Sequence, residues 1–244
     1  MGSFVLTNVR MFAGGLDMTG RSNQVKTETE VAEKDSTNFG SGGWGEVKGA
    51  LVKSEWEAGG QWEAGGAGFV DDELFAALGG VGAWSMCPDG AAVGSLAWLT
   101  KAMTAKYQLG DAVGEIAPWS AEAKGSWPLA RGLVAHPPGT ARTATGNGTG
   151  QQLGAVAAGQ YLYAAAHILS VAGTSTPTIT LGIESAPDNT FAAPTSRISF
   201  AAATAVSGQI LRTAGAITDT WFRPVWTISG TSPSFLFVVS FGVK

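Results

Sequence analysis

Polar and apolar residues alternate with a period of two through much of the first half of the chain. Residues 24–31 alternate β-branched side chains with charged or amide ones, and the same alternation returns in residues 52–58, 102–109 and 119–127. Successive side chains of a strand point to opposite faces, so this pattern predicts antiparallel strands with one buried and one polar face.

Two segments interrupt the strand pattern. Residues 38–44 read Asn-Phe-Gly-Ser-Gly-Gly-Trp, which predicts a flexible loop. Residues 71–78 begin with three acidic residues and are followed by two glycines. Acidic side chains favour the first turn of a helix and glycine favours its end, so this segment is predicted to be one short helix.

The second half consists of short apolar runs separated by Gly, Pro, Asn and Asp. In the first of these runs, residues 161–171, the three consecutive alanines at 164–166 would also suit a helix. The spacing otherwise predicts a second β-sandwich, of jelly-roll or immunoglobulin-like type, and an all-β fold for the whole chain. The predicted strands are residues 161–171, 179–183, 198–200, 221–228 and 235–241.

Charge is distributed unevenly along the chain. Residues 1–135 carry 16 Asp and Glu against 10 Lys and Arg, whereas residues 136–244 carry 3 acids and 5 bases. Residues 136–153 are rich in Gly, Pro and Thr. This predicts a domain at 1–135, a linker at 136–153 and a domain at 154–244. Charged residues make up 14% of the chain, which favours extensive burial, including burial between subunits.

The composition excludes several classes of function. A net charge of −4 argues against tight binding of nucleic acid, which needs clustered Lys and Arg. Cys87 is the single cysteine, and His136 and His167 lack metal-ligand spacing, so no disulfide, metal site or cofactor is expected. The most apolar window, 153–173, contains polar residues and glycines and is a poor membrane span.

Paired carboxylates beside tryptophan raise the question of a glycosidase. In an extended strand, however, Glu55 and Glu57 share one face while Trp56 takes the other, so a solvated or lumen-facing acidic strand is the favoured interpretation. The nine tryptophans favour packing in cores or between subunits, with an exposed sugar-binding row as the alternative. No catalytic group is expected.

Several turns and strand edges carry a resemblance to a known family. The first half resembles the major tail, or tail tube, proteins of long-tailed bacteriophages, and the second half resembles a module attached to phage structural proteins. The segments that carry the resemblance are residues 18–23, 38–44, 80–84, 127–132, 216–223 and 230–235.

The resemblance implies a subunit whose first domain is a β-sandwich or barrel that forms rings, commonly hexameric, and whose second domain decorates the outside. The rings would stack into a tube and contact other tail proteins, with phage DNA passing through unbound. It further implies a place in the virion tail, after assembly in the host cytoplasm.

The resemblance also identifies candidate residues. An acidic wall would suit a channel that conducts DNA, because negative charge does not bind phosphate. The candidates for the channel lining are the polar faces of two predicted strands, formed by Lys26, Glu28 and Glu30 and by Lys106 and Gln108.

A loop that reaches the neighbouring ring is the second expectation from the resemblance. The segment 35–46 is the candidate, with Asn38, Phe39 and Trp44 as its contact residues.

Two other functions stay open at this point. One is a carbohydrate- or receptor-binding β-sandwich of the virion, suggested by Trp221 and Trp226, although a spacing of five residues points these side chains to opposite sheet faces. The other is a head decoration or capsid protein.

Overall fold

The computed structural model describes residues 5–66, 68–110 and 114–244. It confirms the predicted all-β class, with 61% of residues in strands and 4% in helix. A 3₁₀ turn spans Thr19–Arg21 and helix α1 spans Val70–Ala76. The strands are β1 Arg10–Ala13, β2 Leu16–Asp17, β3 Ser22–Asp35, β4 Val47–Gln61, β5 Val81–Cys87, β6 Leu96–Leu109, β7 Pro118–Gly125, β8 Ala130–His136, β9 Gly146–Asn147, β10 Gln151–Gln152, β11 Tyr161–Ala186, β12 Thr195–Ser199, β13 Ser207–Ala214 and β14 Trp221–Val243.

Four long strands of the first half form an antiparallel sheet in the order β3-β4-β7-β6. Its apolar face is buried, with Trp56 and Trp119 almost inaccessible to solvent. The Trp119 indole Nε1 donates a hydrogen bond to the Arg21 carbonyl at 3.1 Å, which ties β7 to the start of β3. Burial of aromatic rings of this size contributes several kcal/mol to stability.

Helix α1 closes this core and confirms the predicted short helix. Val70 and Leu74 are buried against the tryptophan face, and the helix begins one residue earlier and ends two residues earlier than predicted. Its acidic residues fix the preceding loop, because Asp72 accepts hydrogen bonds from the Gly65 and Gly66 amides.

A second branch of the same 14-stranded sheet, which shares β6 with the first, joins the two halves of the chain. It runs β13-β11-β14-β8-β6-β5, and it curls until β13 contacts β5. Small residues fill the space that it encloses, among them Ala83, Ala97 and Ala165. Because β8 pairs with both β6 and β14, strands of the first and second halves share backbone hydrogen bonds.

Strands β11 and β14 form one long ribbon that folds over on itself. Residues 161–171 and 179–183, predicted as separate strands, belong to the single strand β11, and β14 likewise unites residues 221–228 with 235–241. Positive φ angles at Gly173 (128°) and Gly230 (113°) mark the bend. The folded ribbon encloses the aromatic core of the second half, which contains Phe222, Phe235, Phe237 and Phe241.

The Gly/Pro/Thr-rich segment 136–153 follows the surface of this second core. Strands β9 and β10 pair with β14, and the Trp226 indole donates to the Ala144 carbonyl at 3.0 Å. His136 stacks on Phe237 at 4.2 Å. The segment is therefore held by hydrogen bonds and ring contacts along much of its length.

A buried polar contact lies between the two halves. The His167 Nδ1 lies 2.7 Å from the Gly14 carbonyl and its Nε2 lies 2.8 Å from Ser85 Oγ. Burial lowers the pKa of His167 to about 4. The neutral imidazole donates a hydrogen bond from Nδ1 to the carbonyl, and its Nε2 accepts one from the serine hydroxyl. Both ring nitrogens therefore have a hydrogen-bond partner.

We expect Gly132→Ala to destabilise the fold by at least about 2 kcal/mol. A Cβ at this position would lie 1.9 Å from the Phe241 carbonyl oxygen, inside the β8–β14 pairing. Gly139→Ala is the control, since nothing lies within 4 Å of its added Cβ. Urea unfolding measures both variants, and equal midpoints would contradict the close approach of the two strands.

We expect acidification from pH 7 to pH 5 to remove stability through His167. The unfolded imidazole binds a proton near pH 6.5 and the folded one near pH 4, so stability is lost as the pH falls through this window, by about 2 kcal/mol at pH 5. His136 has a similarly lowered pKa of about 4 and adds its own share. Unfolding of His167→Gln at both pH values should show a smaller pH dependence, and an unchanged dependence would refute the assignment.

Candidate functional site

The polar face of the four-stranded sheet collects the side chains predicted for the channel lining. Lys26, Glu28 and Glu30 lie on β3, and Lys106 and Gln108 lie on β6, the far strand of the same sheet. Register across β4 and β7 places all five on one face. The structure therefore brings together residues that are about eighty positions apart in the sequence.

Ion pairs form both between neighbouring strands and within β3 on this face. Lys106 Nζ lies 2.8 Å from Glu122, and Lys124 Nζ lies 2.7 Å from Glu55. Lys26 Nζ lies 2.6 Å from Glu28, whose hydrogen bond raises the pKa of the lysine. The hydrogen bond from Lys124 lowers the pKa of Glu55. The hydrogen bond from Glu55 likewise raises the pKa of Lys124, so both members of this pair stay charged near neutral pH.

Five further residues complete this face, namely Lys53, Glu55 and Glu57 on β4 and Glu122 and Lys124 on β7. The sequence showed the polar alternation of these strands but not the order of the strands, so it did not place the five residues between the channel-lining candidates. The whole face carries five glutamates and four lysines. An acidic wall was expected, but the face is close to neutral because the lysines are interleaved with the glutamates.

Both edges of the four-stranded sheet are open among the described residues. Strand β3 pairs with β4 alone along its 14 residues, and residues 105–109 of β6 pair with β7 alone. Each open edge presents backbone N–H and C=O groups without a partner strand, which is a template for pairing with another chain.

The two edges are suited to each other. The strand directions alternate across β3, β4, β7 and β6, so the β6 edge of a second copy beside β3 would continue the antiparallel order. Gln24 and Gln108 lie in the same register, through Gly59 and Ser120. The polar face is also concave, with a hollow of about 540 Å³ that is lined from all four strands.

Strands β3 and β4 continue beyond the sheet as a two-stranded arm. β7 pairs with β4 from Glu55 to Gln61, so residues 31–52 have no third strand within the part of the chain that is described. A two-stranded ribbon is marginally stable alone in water. The arm ends in the predicted loop, in which Asn38 is exposed and the rings of Phe39 (112% relative exposure) and Trp44 (81%) project into solvent.

The structure does not bring together the residues of the sugar-binding and carboxylate sites that were considered from the sequence. Trp226 is buried, so it cannot form a surface platform with Trp221. Trp56 lies in the core, as predicted, while Glu55 and Glu57 face the opposite side. Across residues 5–66, 68–110 and 114–244 no three His, Cys, Asp or Glu side chains cluster as metal ligands would. The same residues include no helix with the length and apolarity needed to span a membrane.

Comparisons with known proteins give weak structural similarities. No family model and no curated protein matches the chain. A virion protein of a native gene transfer agent particle is 13% identical over 53% of this chain and 98% of its own, with a TM-score of 0.41. A tail protein of an empty gene transfer agent particle of C6 symmetry is 13% identical over 50% of this chain and 92% of its own (TM-score 0.38).

The Dit protein of phage SPP1, described as a hub of the adsorption apparatus, matches over a longer stretch. It is 12% identical over 97% of this chain and 99% of its own, with a TM-score of 0.37. At such identities and TM-scores, these similarities assign neither a family nor a function to the chain.

We expect chymotrypsin to cut the arm before any other part of the protein. Phe39 and Trp44 are exposed on the loop at the tip of the two-stranded arm, whereas most other aromatic rings lie in the cores. Mass spectrometry of the early fragments should place the first cut there. Phe39→Ser with Trp44→Ser should slow it strongly, and a first cut elsewhere would show that the arm is not the most accessible segment.

Proposed function

We propose that this protein is a structural subunit of a phage-type tail tube. Its four-stranded sheets join edge to edge in a ring, and their charged faces line a channel through which DNA passes. The observation that carries the proposal is a sheet with one buried face, one charged concave face and two complementary open edges.

Ring closure satisfies the backbone groups that the single chain leaves open. Joining one edge to the opposite edge of the next copy is a head-to-tail contact, and such contacts form closed rings when the rotation between copies completes a circle. The resulting barrel has no free edge. Six copies, the number implied by the family resemblance, would contribute four strands each.

The charged face is suited to passing DNA without binding it. Phosphate binding depends on lysines and arginines that are free to replace counterions. Here Lys26, Lys106 and Lys124 are each engaged by a glutamate of the same face. A phosphate would have to displace a carboxylate at each of these positions, which weakens its hold.

The arm and the second half supply the remaining contacts of the tube. Asn38, Phe39 and Trp44 at the arm tip would reach a neighbouring ring and bury there the apolar rings that the single chain exposes. Residues 154–244 would decorate the outside, attached through the segment 136–153. Other tail proteins would bind the ends of the tube in the virion.

We expect a cysteine pair to detect the ring directly. Gln24→Cys with Gln108→Cys places thiols on the two edges at the same register level, and within one chain they are separated by three strand spacings, roughly 14 Å. A bismaleimide shorter than that separation should give a ladder of covalent oligomers in the double variant. Each single variant is the control, because native Cys87 is buried. A double variant that stays monomeric after treatment would contradict edge-to-edge ring formation.

We expect deletion of residues 37–45 to separate ring formation from stacking. The deleted loop is exposed and makes no contact with either core, so the subunit should keep its thermal midpoint. Electron microscopy should then show single rings in place of tubes. Tubes of ordinary length from the deletion variant would contradict the role of the arm, and rings that never stack even with the full arm would contradict a tube.

A further inference from the structure

A groove lies beside the open edge of β3, on the core side of the sheet. It has a volume of about 560 Å³ and is lined by the chain before β1, by the 3₁₀ turn and by the start of β3. Its lining includes the apolar residues Leu6, Val9 and Val25, together with Arg10 of β1.

The opposite edge of the sheet carries a projection on the same side. Helix α1 lies beside β6, and its Phe75 is 65% exposed while its ring packs edge-on against Tyr107 at 6.4 Å.

The projection and the groove lie at the same height on the sheet. Tyr107, which contacts Phe75, is in register with Ala121, then with Ala58 and then with Val25 of the groove lining. Tyr107 and Val25 also pack against the same core, so both are on the buried side of the sheet. Edge-to-edge joining would therefore bring α1 of one copy to the groove of the next.

We propose that this groove is the docking site for helix α1 of the neighbouring copy, with Phe75 as its anchor. The inference rests on the ring proposed above and adds to it a side-chain contact outside the backbone pairing. The apolar residues of the groove would cover the exposed ring of Phe75. Backbone pairing accepts many sequences, so this contact is what would select copies of the same chain in the correct register.

Substitution of the anchor tests the contact. Because Phe75 is largely exposed, Phe75→Ala should fold with an unchanged thermal midpoint, yet it should raise the protein concentration at half-assembly about 30-fold or more, as removal of an interface anchor does. Val93→Ala, at an exposed apolar residue on the loop before β6, should change that concentration less than about twofold. Mass photometry measures both.

Proximity gives a second readout. Thr7→Cys in the groove lining with Ala76→Cys beside the anchor leaves Phe75 itself in place. This pair should give cross-linked oligomers with a bismaleimide, whereas each single variant should not.

The outcomes separate this inference from the ring itself. If the Gln24/Gln108 cysteine pair cross-links but the Thr7/Ala76 pair does not, or if Phe75→Ala assembles like the wild type, the ring stands and the docking site is wrong. If neither pair cross-links and no ring forms, both the ring and the docking site are overturned. Cross-linking of both pairs with weakened assembly of Phe75→Ala establishes the contact.

Discussion

Backbone hydrogen bonding at the edges of one sheet is the constraint on which the rest of this structure depends. A strand buries its N–H and C=O groups at low cost when it has a neighbour on each side, and an edge strand lacks one. The sheet β3-β4-β7-β6 has two such edges, and β3 presents 14 residues at one of them. Pairing with identical chains, as proposed, would satisfy both edges at once.

The remainder of the fold holds that sheet in a defined shape. Trp56 and Trp119 fill the core behind it, and α1 covers the side next to β6. The curled sheet that contains β11 and β14 supports this core from behind, with His167 and Ser85 as a hydrogen-bonded contact between the halves. A sheet supported in this way keeps the curvature of its charged face, which is what a ring of repeated copies requires.

Strand periodicity predicted much of the fold but little of its assembly. The alternation around Glu28 and around Lys106 identified both strands and their polar faces, because side-chain direction is a local property. The order of strands is not local, so the sequence did not place Glu122 between them. The bends at Gly173 and Gly230 were invisible for a similar reason, since a glycine predicts a turn as readily as a bend within a continuous strand.

In the candidate site, too, local features could be predicted from the sequence whereas features that depend on strand order could not. Phe39 and Trp44 were found from the composition of their loop, and the structure leaves both exposed. The groove that contains Arg10 gave no sequence signal, because it is formed by segments that meet through the register of four strands. The near neutrality of the charged face likewise follows from cross-strand pairing, which the overall excess of acid in residues 1–135 did not predict.

Hydrogen–deuterium exchange as a function of protein concentration tests the sealing of the edges most directly. If copies pair edge to edge, amides of β3 residues 22–30 and of residues 105–109 gain protection together as rings form, while the core amides of β11 are protected at every concentration. If the edge amides exchange equally fast in the dilute monomer and in the concentrated protein, the edges are not sealed by neighbouring copies and the account is wrong.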